Sequence, residues 1–153
     1  MGEGQDKQNI ESLLRQGHSV QFPPTGWSMY PLIVNGRDQV IVEPADPEKL
    51  RRGAVALYRR RDSILVLHRV WKRTAEGFYM VGDNQVEVEG PLAPEQIRGV
   101  MTAVVRKGKT IPVTSPLYRF LTGAWLVLRP VRMVIMRPLA ALKRAVKGLL
   151  GAN

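Results

Sequence analysis

Apolar positions change their period along the chain, and the changes divide it into segments. From Asp6 to Arg15, Ile10, Leu13 and Leu14 fall on one side of a 3.6-residue repeat, and Gly17 follows as a stop. This predicts a short amphipathic helix. Ser19 to Phe22 alternates with period two, as a strand does. Pro23-Pro24-Thr25-Gly26 then forbids a regular ladder, because proline offers no amide and fixes its own φ. Further strands are predicted at Gln39 to Glu43, Ala54 to Tyr58, Ser63 to Trp71, Phe78 to Val81, Ile97 to Val105 and Thr110 to Val113. Gly36-Arg37-Asp38 and Arg59-Arg60-Arg61-Asp62 punctuate them as turns. Pro44 to Gly53 reads as a loop or single helical turn. The last strand contains Pro112 and is expected at an edge.

Short strands with turn residues between them predict a mainly β domain of hairpins. Three parts follow: an N-terminal helix over 1–18, a β domain over 19–114 and a helical tail over 115–153. Ser115-Pro116 opens the tail, where Leu117, Phe120, Leu121, Ala124, Trp125 and Leu128 recur at three and four residues. Pro130 and Pro138 interrupt it. Arginines at 119, 129, 132 and 137 keep any window short of the ~20 apolar residues of a membrane span.

Charge sharpens this division. The chain of 153 residues carries a net +10, and residues 115–153 hold seven of its 23 cations and no acid. The preceding 114 residues hold the other 16 cations and all 13 acids, so the body is close to neutral. A basic amphipathic tail suits an anionic membrane surface. The alternative is a helix packed on its own domain with solvated arginines. The body lacks an aromatic-and-basic strip, which disfavours nucleic acid as the partner. There are no cysteines, so thiol catalysis and disulfides are excluded. No metal ligand set and no cofactor are implied. Met1 to Gly17 is polar and lacks the apolar run of a secretory signal, and a cytoplasmic location is expected, peripheral on the inner membrane face.

Three residues bear candidate chemistry. Ser28, in Gly26-Trp27-Ser28-Met29-Tyr30-Pro31, follows a proline and glycine loop that suits exposure, and Gly26 leaves room for a substrate backbone. It could equally cap a helical turn. His68 shares an apolar strand face with Ile64, Val66 and Val70, with no acid in that row. A core histidine bonded to a carbonyl would look the same. His18 sits in a polar loop, so His68 is the candidate base by elimination. Asp83, in Gly82-Asp83-Asn84, is either a turn residue or the acceptor that orients an imidazole. Asp38 is a rival acid that more simply supports its own turn.

Gly-x-Ser-Met-x-Pro, a Gly/Asp turn, His-Arg-Val and Gly-Asp-Asn, in this order between Thr25 and Val105, resemble the type I signal peptidase superfamily, which includes the LexA-type self-cleaving repressors. His68-Arg69 resembles the histidine-base (archaeal and endoplasmic-reticulum) branch. The resemblance implies a signal-peptidase/LexA-like catalytic β domain, with Ser28 as nucleophile, His68 as general base and Asp83 as orienting acid. It also implies that Gly26, Trp27, Met29 and Pro31 contact the substrate, with backbone amides, including that of Ser28, as oxyanion donors. The chain departs from the pattern in three places: no N-terminal anchor is visible, Gly26 stands where bacterial members place a hydroxyl, and the Gly/Asp turn is one residue longer.

The expected function is therefore a serine endopeptidase cleaving a peptide, leader or preprotein. Its partners would be that substrate and an anionic membrane surface met through 115–153. The alternative is a catalytically inactive peptide-binding or regulatory module on the same scaffold, docked on a membrane by its tail. A self-cleaving DNA-binding regulator is a weaker fit, because too little chain precedes Ser19 for a helix-turn-helix.

Overall fold

Period-two segments pair in the computed structural model into one antiparallel sheet of eight strands. The structure describes residues 3–61, 64–132, 134 and 145–146, with residues 3–8 as backbone only. Asp62, Ser63 and the tail positions from Ile135 on, apart from 145–146, lie outside the described residues, and so do the expectations placed on them. The helix α1 spans Glu3–Arg15. The strands are β1 (Val20–Phe22), β2 (Asp38–Pro44), β3 (Val55–Arg59), β4 (Leu65–Thr74), β5 (Gly77–Val81), β6 (Glu89–Leu92), β7 (Ile97–Arg106) and β8 (Lys109–Pro112). Helix α2 (Pro116–Val127) follows.

The strand order is β1-β2-β7-β3-β4-β5-β6, and β8 pairs with the end of β7. The mainly β expectation is met. Strand β6 was not foreseen. Its sequence, Glu-Gly-Pro-Leu, has neither alternation nor β-formers, and it exists only by pairing with β5 at the sheet edge, where a proline is tolerated.

β3 is buried on both faces and separates two apolar clusters. Val55 and Leu57 join Leu14 of α1, Met29, Ile33, Val40, Val42 and Met101. Ala56 and Tyr58 join Val70, Phe78, Met80 and Leu92. Met29 and Ile33 thus anchor the loop after β1 in the core. That loop is closed by Asp38, whose buried carboxylate accepts from the Val34 amide (2.8 Å), Arg37 and Arg106. Burial opposes ionisation of Asp38, but the two guanidiniums and the amide outweigh it and hold the carboxyl far below its usual range.

α1 is tied down by one acid. Glu11 is buried and accepts from Arg15, Arg59 and Arg98, which brings the helix onto β3 and β7. The Arg59 hydrogen bond, helped by Arg98 against the opposing effect of burial, lowers its pKa to about 2. The unfolded carboxyl titrates near 4.5. In the window between these values the folded state binds fewer protons than the unfolded one, so this contribution is complete above about 4.5 and is lost as pH falls toward 2. Glu11→Gln should destabilise the fold by about 1–3 kcal/mol at neutral pH, discounted because its arginine partners are partly exposed. Urea denaturation at pH 7 and pH 3 checks it, and the difference between variant and parent should shrink at the lower pH.

Candidate active site

The short-range order around Ser28 follows from two anchors. Met29 beside it is only 4% exposed, and Asp38 holds the far end of the loop. Met29 therefore packs the core and does not line a substrate path, which corrects the expected contact. Trp27 is 58% exposed and stacks edge-on with Tyr30, ring centroids 6.1 Å apart. Gly26 lies exposed at φ +74°, a left-handed conformation that disfavours any side chain, and Pro31 is half-buried. Among the described residues, the amide N–H groups of Ser28 and Met29 make no hydrogen bond, so both remain able to donate to an oxyanion.

The Ser28 loop is bonded to the turn after β5. The Asn84 amide donates to the Ser28 carbonyl at 2.8 Å. A Cβ on Gly82 would start 2.7 Å from that same oxygen, so only glycine lets the two segments meet. β4 and β5 pair with Arg69 opposite Val81 and Val70 opposite Met80. One step further in this register sets Gly82 beside His68, on the face His68 shares with Val70. Ser28 and His68 thus flank one glycine. Their side chains are not joined: among the described residues, neither Ser28 Oγ nor His68 Nε2 has a hydrogen-bond partner.

Asp83 does not orient His68. Its two carboxylate oxygens each accept from Arg69, through Nε and Nη2, at 2.7 Å. Arg69 has no exposure and adds a bond to the Gly53 carbonyl at 2.7 Å. Burial works against its charge, but Asp83 more than compensates and raises the guanidinium pKa. Arg69 and His68 are consecutive in β4 and must face opposite ways, so a carboxylate bound to one is turned from the other.

The group that holds His68 is Tyr58, which sequence reasoning missed. Tyr58 Oη lies 3.0 Å from His68 Nδ1 and donates to Glu89 Oε2 at 2.7 Å. Glu89 in turn receives Arg60 through two bonds of 2.7 Å. Burial pushes the Glu89 carboxyl up, but the Arg60 and Tyr58 hydrogen bonds prevail and its pKa is lowered, so it is an ionised acceptor. Tyr58 has one proton and gives it to Glu89. Its oxygen can then only accept from Nδ1–H, which fixes the imidazole tautomer and leaves the Nε2 lone pair free. Burial, with the Arg60 charge second, lowers the His68 pKa to about 4. The ring is neutral at pH 7.

A cleft of about 680 Å³ adjoins these groups. Arg60, Asn84, Gln85, Val86, Val88 and Glu89 are among its lining residues, so it runs from the amide that holds Ser28 to the carboxylate that holds Tyr58. The tail covers its back: Trp125 Nε1 and Arg132 donate to the Asp83 carbonyl, and Arg129 donates to the Val86 carbonyl at 2.7 Å.

Breaking the buried pair should show its structural role. Arg69→Met strands Asp83 without a partner and should lower stability by about 3–5 kcal/mol. Adding Asp83→Leu should recover a large part of that loss, and chemical denaturation of both variants checks it. No family model, curated protein or solved structure matches the chain.

Proposed function

We propose that the chain is a serine endopeptidase in which Ser28 is the nucleophile and His68 the general base, in line with its resemblance to the signal-peptidase superfamily. The observation that carries this reading is the hydrogen-bond chain from His68 through Tyr58 to Glu89, because it fixes Nδ1 as the protonated nitrogen and leaves Nε2 free to take a proton. In the proposed reaction, Ser28 Oγ adds to the scissile carbonyl as its proton passes to His68 Nε2. The imidazolium returns that proton to the departing amine, leaving an acyl-enzyme. Water then attacks the ester, again with His68 as base, and releases the acid. In this reading the amides of Ser28 and Met29, which make no hydrogen bond among the described residues, donate to the oxyanion. Tyr58 and Glu89 are positioning residues. Asp83 serves the turn by binding Arg69. An extended peptide lying in the cleft between Asn84 and Glu89 is the proposed substrate pose.

That Ser28 Oγ and His68 Nε2 are not hydrogen-bonded to each other favours a second reading, a peptide-binding module without turnover. A fluorophosphonate probe separates the two: covalent labelling of Ser28 supports the enzyme, and peptide binding without labelling supports the module.

Ser28→Ala and His68→Ala should each lower kcat/KM by on the order of 10³-fold or more, and the double variant should lose no more than either. A His68→Ala variant of full activity would remove the base assignment. The base must be neutral to act, so kcat/KM should rise through pH about 4 and be level by pH 7, not rise near the 6.5 of an unburied imidazole. Tyr58→Phe removes the acceptor of Nδ1–H. It should reduce kcat on the order of 10²-fold with little change in KM or unfolding midpoint. A pH–rate profile of this variant beside the parent distinguishes lost orientation from lost folding.

A further inference from the structure

α2 has apolar residues on both sides, and the larger apolar stripe faces away from the body. An amphipathic surface helix ordinarily turns its apolar stripe to the core. Here the inward side carries Tyr118, Thr122, Trp125, Leu126 and Arg129, of which Leu126 is buried and Tyr118 packs against the core, while Trp125 and Arg129 donate hydrogen bonds to carbonyls of the Asp83–Val86 segment. Arg132, from the turn that continues the helix, bonds the same segment and lies 3.6 Å over the Trp125 ring. The outward side carries Leu117, Phe120, Leu121, Val127, Leu128 and Val131 at helical spacing, all exposed. Leu117, Phe120 and Val127 expose 69%, 71% and 75% of their surface. Packing on the body therefore does not explain this stripe, and a contiguous apolar face of this kind marks a docking surface.

We propose that the outward face of α2 docks on the surface of an anionic lipid bilayer. Charge selects this occupant. Residues 115–153 contain seven cations and no acid, and Glu95 is the last acid in the chain. A second copy of the same face would bring like charge to like charge. A bilayer with anionic headgroups offers apolar depth for Phe120 and its neighbours and opposite charge for Arg119 and for the cations that follow in the sequence. Among the described residues no helix is long and apolar enough to cross a membrane, so the contact is one that lies along the interface. Arg129 and Arg132 are spent on the body, so the cations left for headgroups begin with the exposed Arg119.

Co-sedimentation of the full chain with phosphatidylcholine vesicles, with and without phosphatidylserine, tests this. The chain should bind the mixed vesicles, bind the neutral ones weakly, and release from the mixed ones as salt is raised. The double variant Phe120→Asp/Val127→Asp should bind on the order of 10²-fold less tightly with an unchanged unfolding midpoint, since both side chains are exposed. No binding by the parent to phosphatidylserine vesicles would overturn the proposal. So would undiminished binding by the variant, or parent dimers that the variant dissolves into monomers. Ser28→Ala should bind as the parent does, so the lipid and peptidase readings stand or fall separately.

Discussion

A guanidinium with no access to water has to find its carboxylate, and most of the site's geometry follows from where Arg69 finds it. Its partner Asp83 lies two residues beyond the end of β5, and the two parallel 2.7 Å bonds fix the turn that begins there. The turn fixes the Asn84 amide, and that amide holds the Ser28 loop. Gly53 joins the same assembly by accepting from Arg69, and its own amide bonds the Val70 carbonyl. The loop before β3, the end of β5 and the candidate nucleophile are therefore located by one ion pair. Buried pairs of this kind add little net stability over apolar packing, but they specify geometry, because any displacement leaves a bare charge in the interior.

β4 divides two tasks between neighbouring residues. Arg69 looks to one face and organises main chain. His68 looks to the other and meets Tyr58, itself fully buried in an apolar cluster with its hydroxyl bonded to Glu89, which in turn binds Arg60. The phenol works as a spacer, linking a half-buried carboxylate to the buried imidazole through two hydrogen bonds. The price is a depressed basicity, since burial and Arg60 both oppose charge on the ring.

Much of this was legible before the structure. The period-two runs gave the strand cores of β2, β3, β4, β5 and β7 to within a few residues, and Ser115-Pro116 does open α2, with Ser115 Oγ accepting from Tyr118 N. β6 was invisible because pairing alone makes it a strand. The Arg69–Asp83 bond had a signal that went unused: a charged residue in the same alternating row as Leu65 and Leu67 must be buried, and a buried arginine demands an acid. Tyr58 could be placed near His68 only once the β3–β4 register was known, and two residues of that connection lie outside the described chain. Glu89 offered no signal, since nothing in a proline-bearing loop announces which side chain turns inward. The helical period over 116–127 was read correctly, but Trp125 does not belong with the exposed stripe it was grouped with. Trp125 sits among apolar neighbours in sequence and yet faces the body, because its indole N–H has a carbonyl to reach there.

The planar unit linking Asp83 to Asn84 is gripped at both poles. Its oxygen takes two donors from the helical tail, and its nitrogen gives its hydrogen to the strand of chain that carries the serine. Such a unit is stiff, so it cannot rotate toward one neighbour without leaving the other. Donors on the oxygen also draw electron density away from the nitrogen and make its hydrogen a better donor in turn. Whatever shifts or steadies the Trp125 and Arg132 side chains is therefore felt by the serine segment across a single amide.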